Sequence, residues 1–118
     1  MIVAGFGFRS GATTASLRAA LEAAEGERRV THLATLEDKA SDLQELAALL
    51  SLPLVAIAPA RIIDQPTPTQ SLASQAARGV GSVAEACALV AAGATARLLA
   101  VRSISPDHMA TCAIAEGA

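Results

Sequence analysis

The amino end sets the strongest constraint on this chain. A short apolar run, Ile2-Val3-Ala4, gives way to Gly5-Phe6-Gly7-Phe8-Arg9-Ser10-Gly11 and then to the helix-like Thr13-Thr14-Ala15-Ser16-Leu17. This order reads as strand, glycine loop and helix start. Glycines let the backbone turn sharply and approach a ligand, and the first amides of a helix lack intrahelical acceptors. Arg9 adds a forked cationic donor, so the junction suits a carboxylate or phosphate better than an apolar group. The competing reading is a tight strand-to-helix turn that binds nothing.

Nucleotide fingerprints fit this stretch poorly. Its glycines are spaced G-x-G-x-x-x-G, whereas the dinucleotide motif needs G-x-G-x-x-G and an acidic residue about 20 positions on. Glu37 and Asp38 come too late, and no Gly-Lys-Ser/Thr triplet supplies a P-loop.

The pattern repeats downstream. Thr13 or Thr14 caps a helix whose Leu17, Ala20, Leu21 and Ala24 share one face, and Gly26 ends it. Val30–Leu36 is a second strand, with His32 inside it as a packing residue. Glu37-Asp38-Lys39-Ala40 then crosses at the carboxyl end of that strand, the edge where α/β sheets carry ligands, which singles out Lys39. Ser41-Asp42-Leu43-Gln44 reads as a capping box before an apolar stripe of Leu43, Leu46, Leu49 and Leu50, and Pro53 stops the helix. Leu54–Ala58 reads as a third, buried parallel strand. Two strand-helix-strand units in a row imply a parallel sheet with right-handed crossovers.

The second half is built differently. Pro59 to Asp64 suggests a brief helical turn, and Gln65–Thr69 an extended piece stiffened by prolines, with Thr69 capping a helix over 70–77. Arg78-Gly79-Val80-Gly81-Ser82 is a second glycine loop. Ser82-Val83-Ala84-Glu85 is the clearest capping box, opening a helix that stops at Gly93; there Glu85 takes the place an outside carboxylate would need. Ala96–Arg102 and Met109–Ala115 form a closing hairpin around Ser105-Pro106-Asp107-His108. Asp107 and His108 are the nearest approach to an acid-base pair, but residues this close in a turn usually serve its geometry.

At 118 residues the expectation is one domain over 1–118, able to bury a core without disulfides or metal. The fold class is α/β: a mixed, mostly parallel sheet flanked by helices, with a C-terminal antiparallel β-hairpin. Hydrophobic residues make up 53% and aromatics only 2%, so stacking on nucleobases is not expected. Nine basic against eleven acidic residues give a net charge of −2, without the broad basic footprint of nucleic-acid binders. Any anion must be held locally. No signal-peptide pattern or run of ~18 apolar residues marks a membrane partner, and a cytoplasmic location is expected. Cys87 and Cys112 stand alone in apolar runs and read as core residues; no metal site or cofactor is expected.

Together, GFGFRSG, LATLEDKASDLQELAALLSLPL, PTPTQSLASQAARGVGSVAEACAL and the ARLLAV…ATCAIA hairpin resemble one family across nearly the whole chain. That family is CobE, with the equivalent carboxy-terminal domain of CbiG, from cobalamin biosynthesis. Its opening is usually G-x-G-C-R-R-G. Gly5, Gly7, Arg9 and Gly11 match it, with Phe8 in place of the cysteine and Ser10 in place of the second arginine. Lys39 matches the family's lysine, Thr67-Pro68-Thr69 resembles its T-P-S type segment, and Val80 to Ala86 its V-G-x-x-S-V-A-E-A segment. Near the end, Arg102 keeps one cationic position of the family's Pro-Lys-x-Lys-Ser-Gly.

The resemblance implies a role in building the corrin ring, on a precorrin-type tetrapyrrole. Together with the reading of the glycine loops, it gives Gly5, Gly7, Arg9, Ser10, Gly11, Thr13, Lys39, Thr67, Gly81, Ser82 and Arg102 as ligand-binding candidates. CbiG as a whole resembles a lactone-opening enzyme, but its further regions have no counterpart here, so that chemistry is not carried over. Three functions compete: a binding protein that holds the ring's carboxylates; an enzyme using Lys39, Asp107 or His108 as acid or base; and a structural subunit docked on other pathway enzymes.

Overall fold

A computed structural model describes residues 1–117. It contains β1 (Ile2–Phe8), α1 (Thr14–Glu25), β2 (His32–Leu36), α2 (Ala40–Leu50), β3 (Leu54–Ile57), α3 (Leu72–Arg78), α4 (Val83–Ala92), β4 (Arg97–Ile104) and β5 (Ala110–Glu116). The five strands form one sheet in the order β3-β2-β1-β5-β4. β1 pairs in parallel with β2, and β2 with β3, while β5 is antiparallel to both β1 and β4. Four of the five strands therefore point the same way. The architecture is the expected mixed sheet with a C-terminal hairpin.

Helices cover both faces. Alternation along β1 sends Ala4 and Phe6 to the side of α1 and α2, where they meet Leu17, Leu21, Leu43 and Leu46. Val3 goes to the other side, with Ala86, Cys87 and Ala88 of α4 and with Ala34 and Ala115 of the sheet. Phe6 is fully buried, and leucines supply most of the remaining bulk on its side.

Three local expectations are corrected. β1 continues through Phe8, so Gly5 and Gly7 are strand residues and the connection to α1 is only residues 9–13. Both glycines face α4. A Cβ on Gly5 would collide with the Ala84 carbonyl and lie 2.5 Å from the Ala88 amide nitrogen, and one on Gly7 would lie 3.2 Å from Val83 Cβ. Their spacing thus serves close helix-on-sheet packing.

The second correction concerns caps. No capping box forms at Ser41, because a 3₁₀ turn over Glu37–Lys39 runs straight into α2 and leaves Ser41 inside it. Ser71 rather than Thr69 caps α3. Ser82 caps α4, its Oγ accepting from the Glu85 amide at 3.2 Å, but the Glu85 side chain bonds elsewhere. Thr13 caps α1 as expected, in a box completed by Ser16. The third correction is β3, which is a half-exposed edge strand, since no strand among the described residues lies beyond it.

The hairpin turn is fastened to α1. Asp107 accepts from Ser105 Oγ at 2.6 Å, from the Met109 amide at 3.1 Å and from Ser16 Oγ at 2.5 Å. The Ser105 hydroxyl chiefly, then Ser16 and the Met109 amide, hold the Asp107 carboxyl below its ordinary value.

Two outcomes follow from this packing. Gly5→Ala should destabilise the protein by about 1–3 kcal/mol, read as a lower denaturation midpoint at unchanged m, because the added methyl meets backbone that cannot rotate away. For Asp107 the folded pKa is depressed, so its contribution is present above the ordinary value of 3.8 and is lost as pH falls through the folded value. The gap in melting temperature between wild type and Asp107→Asn should therefore be widest at neutral pH and close below about pH 4. A gap that stays constant into acid would exclude the ionised carboxylate as its source.

Candidate functional site

The carboxyl ends of β1, β2 and β4 meet the amino end of α4 at one edge of the sheet, where α/β folds place their ligands. A cleft of about 490 Å³ lies there. Its apolar surface comes from Phe8, Leu36, Val83, Ile104 and Met109, and one wall is α3 with its cap, through Ser71, Ala73, Ser74, Ala77 and Arg78.

The charges lining it have one sign. Arg9, Lys39, Arg78 and Arg102 line the cleft together with His108, and among the described residues no aspartate or glutamate does. In a chain of net charge −2 this is a local inversion. Arg9 is anchored through its backbone, whose amide donates to the Met109 carbonyl at 2.9 Å, while its side chain is exposed. Lys39 Nζ stands 5.2 Å from the centroid of the Phe8 ring, a cation–π distance, so the family's cysteine position is here an aromatic shelf under a lysine.

Arg78 was not singled out from the sequence. It donates to Asp38 Oδ2 at 2.7 Å, and this hydrogen bond lowers the Asp38 pKa. The available signal was a cation in the last turn of a helix just before a glycine loop. A second omission is Ser74, whose Oγ is shielded from solvent and has no hydrogen-bond partner among the described residues.

The structure brings together Gly7, Arg9, Lys39, Ser82, Arg102 and His108 from the sequence candidates. The others lie elsewhere. Gly5 is sealed beneath α4, and Gly81 packs against Thr69 and Gln70 so closely that a Cβ would overlap them. Thr67 is buried, donating to the Thr69 carbonyl at 2.9 Å. Ser10, Gly11 and Thr13 belong to the turn into α1 and do not line the cleft. The amino end of α1, read from the sequence as an anion site, already has Asp107 bonded to Ser16. Among the three acid-base candidates, Lys39 and His108 line the cleft and Asp107 is committed to its turn.

Both cysteines are buried. Desolvation pushes the Cys87 thiol up to about 12 and raises Cys112 as well, so neither presents a thiolate at neutral pH.

The most informative group is Glu85. It is fully buried. Oε1 accepts from the Thr69 amide at 2.9 Å, and Oε2 accepts from Thr69 Oγ1 at 2.6 Å and from the Arg102 amide at 2.9 Å. The Arg102 amide is free to turn inward because β4 carries an extra residue there relative to β5, a bulge between Ala100 and Ser103.

The cobalamin synthesis G C-terminus family matches residues 2–115. Comparison with curated protein sequences returns no match. Among solved structures, the chain is similar to CobE, described as a protein from the cobalamin (vitamin B12) biosynthetic pathway, with 32% identity, 98% of this chain and 89% of that one covered, and a TM-score of 0.85. It is 40% identical to cobalamin biosynthesis protein chiG from Agrobacterium tumefaciens, over 100% of this chain and 99% of that one, with a TM-score of 0.72. A putative cobalamin biosynthesis protein G homolog from Sulfolobus solfataricus shares the fold at 17% identity and a TM-score of 0.73, over 97% of this chain but 36% of that one. A family match that spans β1 to β5, and two near-full-length structural relatives above 30% identity, make this chain a member of the CobE and CbiG carboxy-terminal family of cobalamin biosynthesis.

Proposed function

We propose that the protein binds a precorrin-type tetrapyrrole in this cleft, holding the ring's carboxylates with Arg9, Lys39, Arg78 and Arg102. The carrying observation is a cleft lined by four cations and, among the described residues, no acid, in a net acidic chain. A precorrin is a flat apolar macrocycle fringed by acetate and propionate groups, so it needs both an apolar face and several cationic contacts. Phe8, Val83, Ile104 and Met109 supply the first requirement in the same cleft. Binding of this kind fits a cytoplasmic accessory or carrier protein acting beside other pathway enzymes.

A second reading has one observation in its favour, the presence of Lys39 and His108 on the same cleft. In that case the protein performs an acid-base step on the bound ring. Turnover of a purified intermediate that is lost in Lys39→Ala and His108→Ala, with binding retained, would favour the enzyme over the carrier.

Tetrapyrroles are coloured, so titration with purified precorrins gives a direct absorbance readout, and no spectral change with any intermediate would reject the binding function. Arg9→Ala should weaken binding by about 1–3 kcal/mol with little change in thermal stability, since its side chain is exposed. Arg9→Lys should recover part of this, because lysine keeps the charge and loses the planar fork.

A further inference from the structure

We infer that Glu85 is a positioning residue that holds the two walls of the cleft in register, so that ligand affinity depends on a side chain that does not line the cleft. The inference rests on the binding function proposed above. Its ground is geometric. One buried carboxylate gathers three donors from two segments of chain, Thr69 before α3 and Arg102 on β4, each of which leads into one wall.

The α3 wall has little else to fix it. None of its residues is buried, and Leu72 is 88% exposed. A helix that buries no apolar face takes its place from its ends. At those ends the Ser71 amide donates to the Gly81 carbonyl at 2.8 Å, the Asp64 amide donates to the carbonyl of the C-cap Gly79 at 3.1 Å, Arg78 meets Asp38 at the surface, and Thr69 is gripped by Glu85. Of these four ties, only the Glu85 bonds reach a fully buried side chain of α4, the helix packed tightly on the sheet. On the opposite wall the same carboxylate accepts from Arg102 at the β4 bulge, and so sets where the cationic Arg102 side chain leaves the strand. The amide of Glu85 is itself capped by Ser82, which lines the cleft.

Three donors on two oxygens leave no alternative bonding for an amide. In Glu85→Gln one terminal atom becomes an NH₂ group, which must face either the Thr69 or the Arg102 N–H, so one of the two backbone amides loses its acceptor whichever way the side chain turns, and the tie to that wall is weakened. The shape is kept, and no charge lining the cleft is removed.

The experiment uses the full chain and uroporphyrin, a coloured octacarboxylate macrocycle, as the probe. Without ligand, hydrogen exchange of Glu85→Gln should accelerate about tenfold or more over residues 69–78 or at Arg102, whichever amide faces the NH₂, beyond the change seen in β1 and β2. In absorbance titrations the same variant should bind about tenfold more weakly, the scale of one lost hydrogen bond to a charged group. A merely structural role is separated by Arg102→Ala. If Glu85 acts by aiming Arg102, that substitution weakens binding clearly in the wild type and much less in the Glu85→Gln background. Equal factors in both backgrounds together with unchanged exchange over residues 69–78, or wild-type affinity in folded Glu85→Gln, would overturn the inference. Should Glu85→Gln fail to fold, Thr69→Val removes only the hydroxyl bond. It should loosen residues 70–78 and weaken binding a few-fold, and unchanged exchange and affinity would again be fatal. If wild-type protein binds no tetrapyrrole, the binding function fails by itself, and the exchange comparison still decides whether Glu85 couples the walls.

Discussion

The close approach of α4 to the centre of the sheet is the constraint on which the rest depends. It requires an absence of side chains at Gly5 and Gly7 and small ones on the helix at Ala84 and Ala88. With α4 this deep, residues 84 to 88 are all buried, so a helix position that is usually a solvated surface glutamate becomes the interior site of Glu85. A buried carboxylate is costly unless it is hydrogen-bonded, and the donors within reach are the backbone amides of Thr69 and Arg102 with the Thr69 hydroxyl. The irregular segments beside the cleft are therefore drawn to fixed positions by the same packing that closes the core.

Most of the scaffold was legible because its signals are local. The apolar periodicity of Leu17, Ala20, Leu21 and Ala24, the strand-like runs at Leu33–Leu36 and Leu54–Ile57, and the Thr13 and Ser82 caps all act over a few residues. The topology followed from the handedness of parallel crossovers and from a hairpin at the end. What misled the reading was a residue type with two uses. Glycine permits both a turn and a close contact, and at positions 5 and 7 the contact prevails, because the strand's pairing with β5 runs uninterrupted through Phe8. Positive φ confirms the turning role only at Gly11 in that stretch.

The site was legible in its charges and not in its architecture. Arg9, Lys39 and Arg102 are scattered over nearly a hundred positions, yet each sits where a strand of the same direction ends or bulges, so knowledge of strand order gathers them at one edge. Arg78 and Ser74 escaped because α3 packs on nothing that leaves a sequence pattern. Glu85 escaped for the opposite reason. Its spacing from Ser82 matches a capping box, and only the long-range placement of Thr69 and Arg102 diverts the carboxylate from that local bond.

That diversion bears on how a net acidic protein presents a cationic cleft. Three acidic residues are bonded to the elements that form it, and each carboxylate is satisfied by donors on those elements. Asp107 is spent on Ser105, Ser16 and Met109, and Asp38 on Arg78 at the surface, while Glu85 is spent on backbone and hydroxyl groups within the interior. None of the three lines the cleft. Their internal bonds hold the walls, and their withdrawal leaves the lining cations without an acid among them. Under the proposed binding function an anionic ring would meet the cations of the lining, with Arg78 shared with Asp38, at contact distance, where screening by salt is weakest.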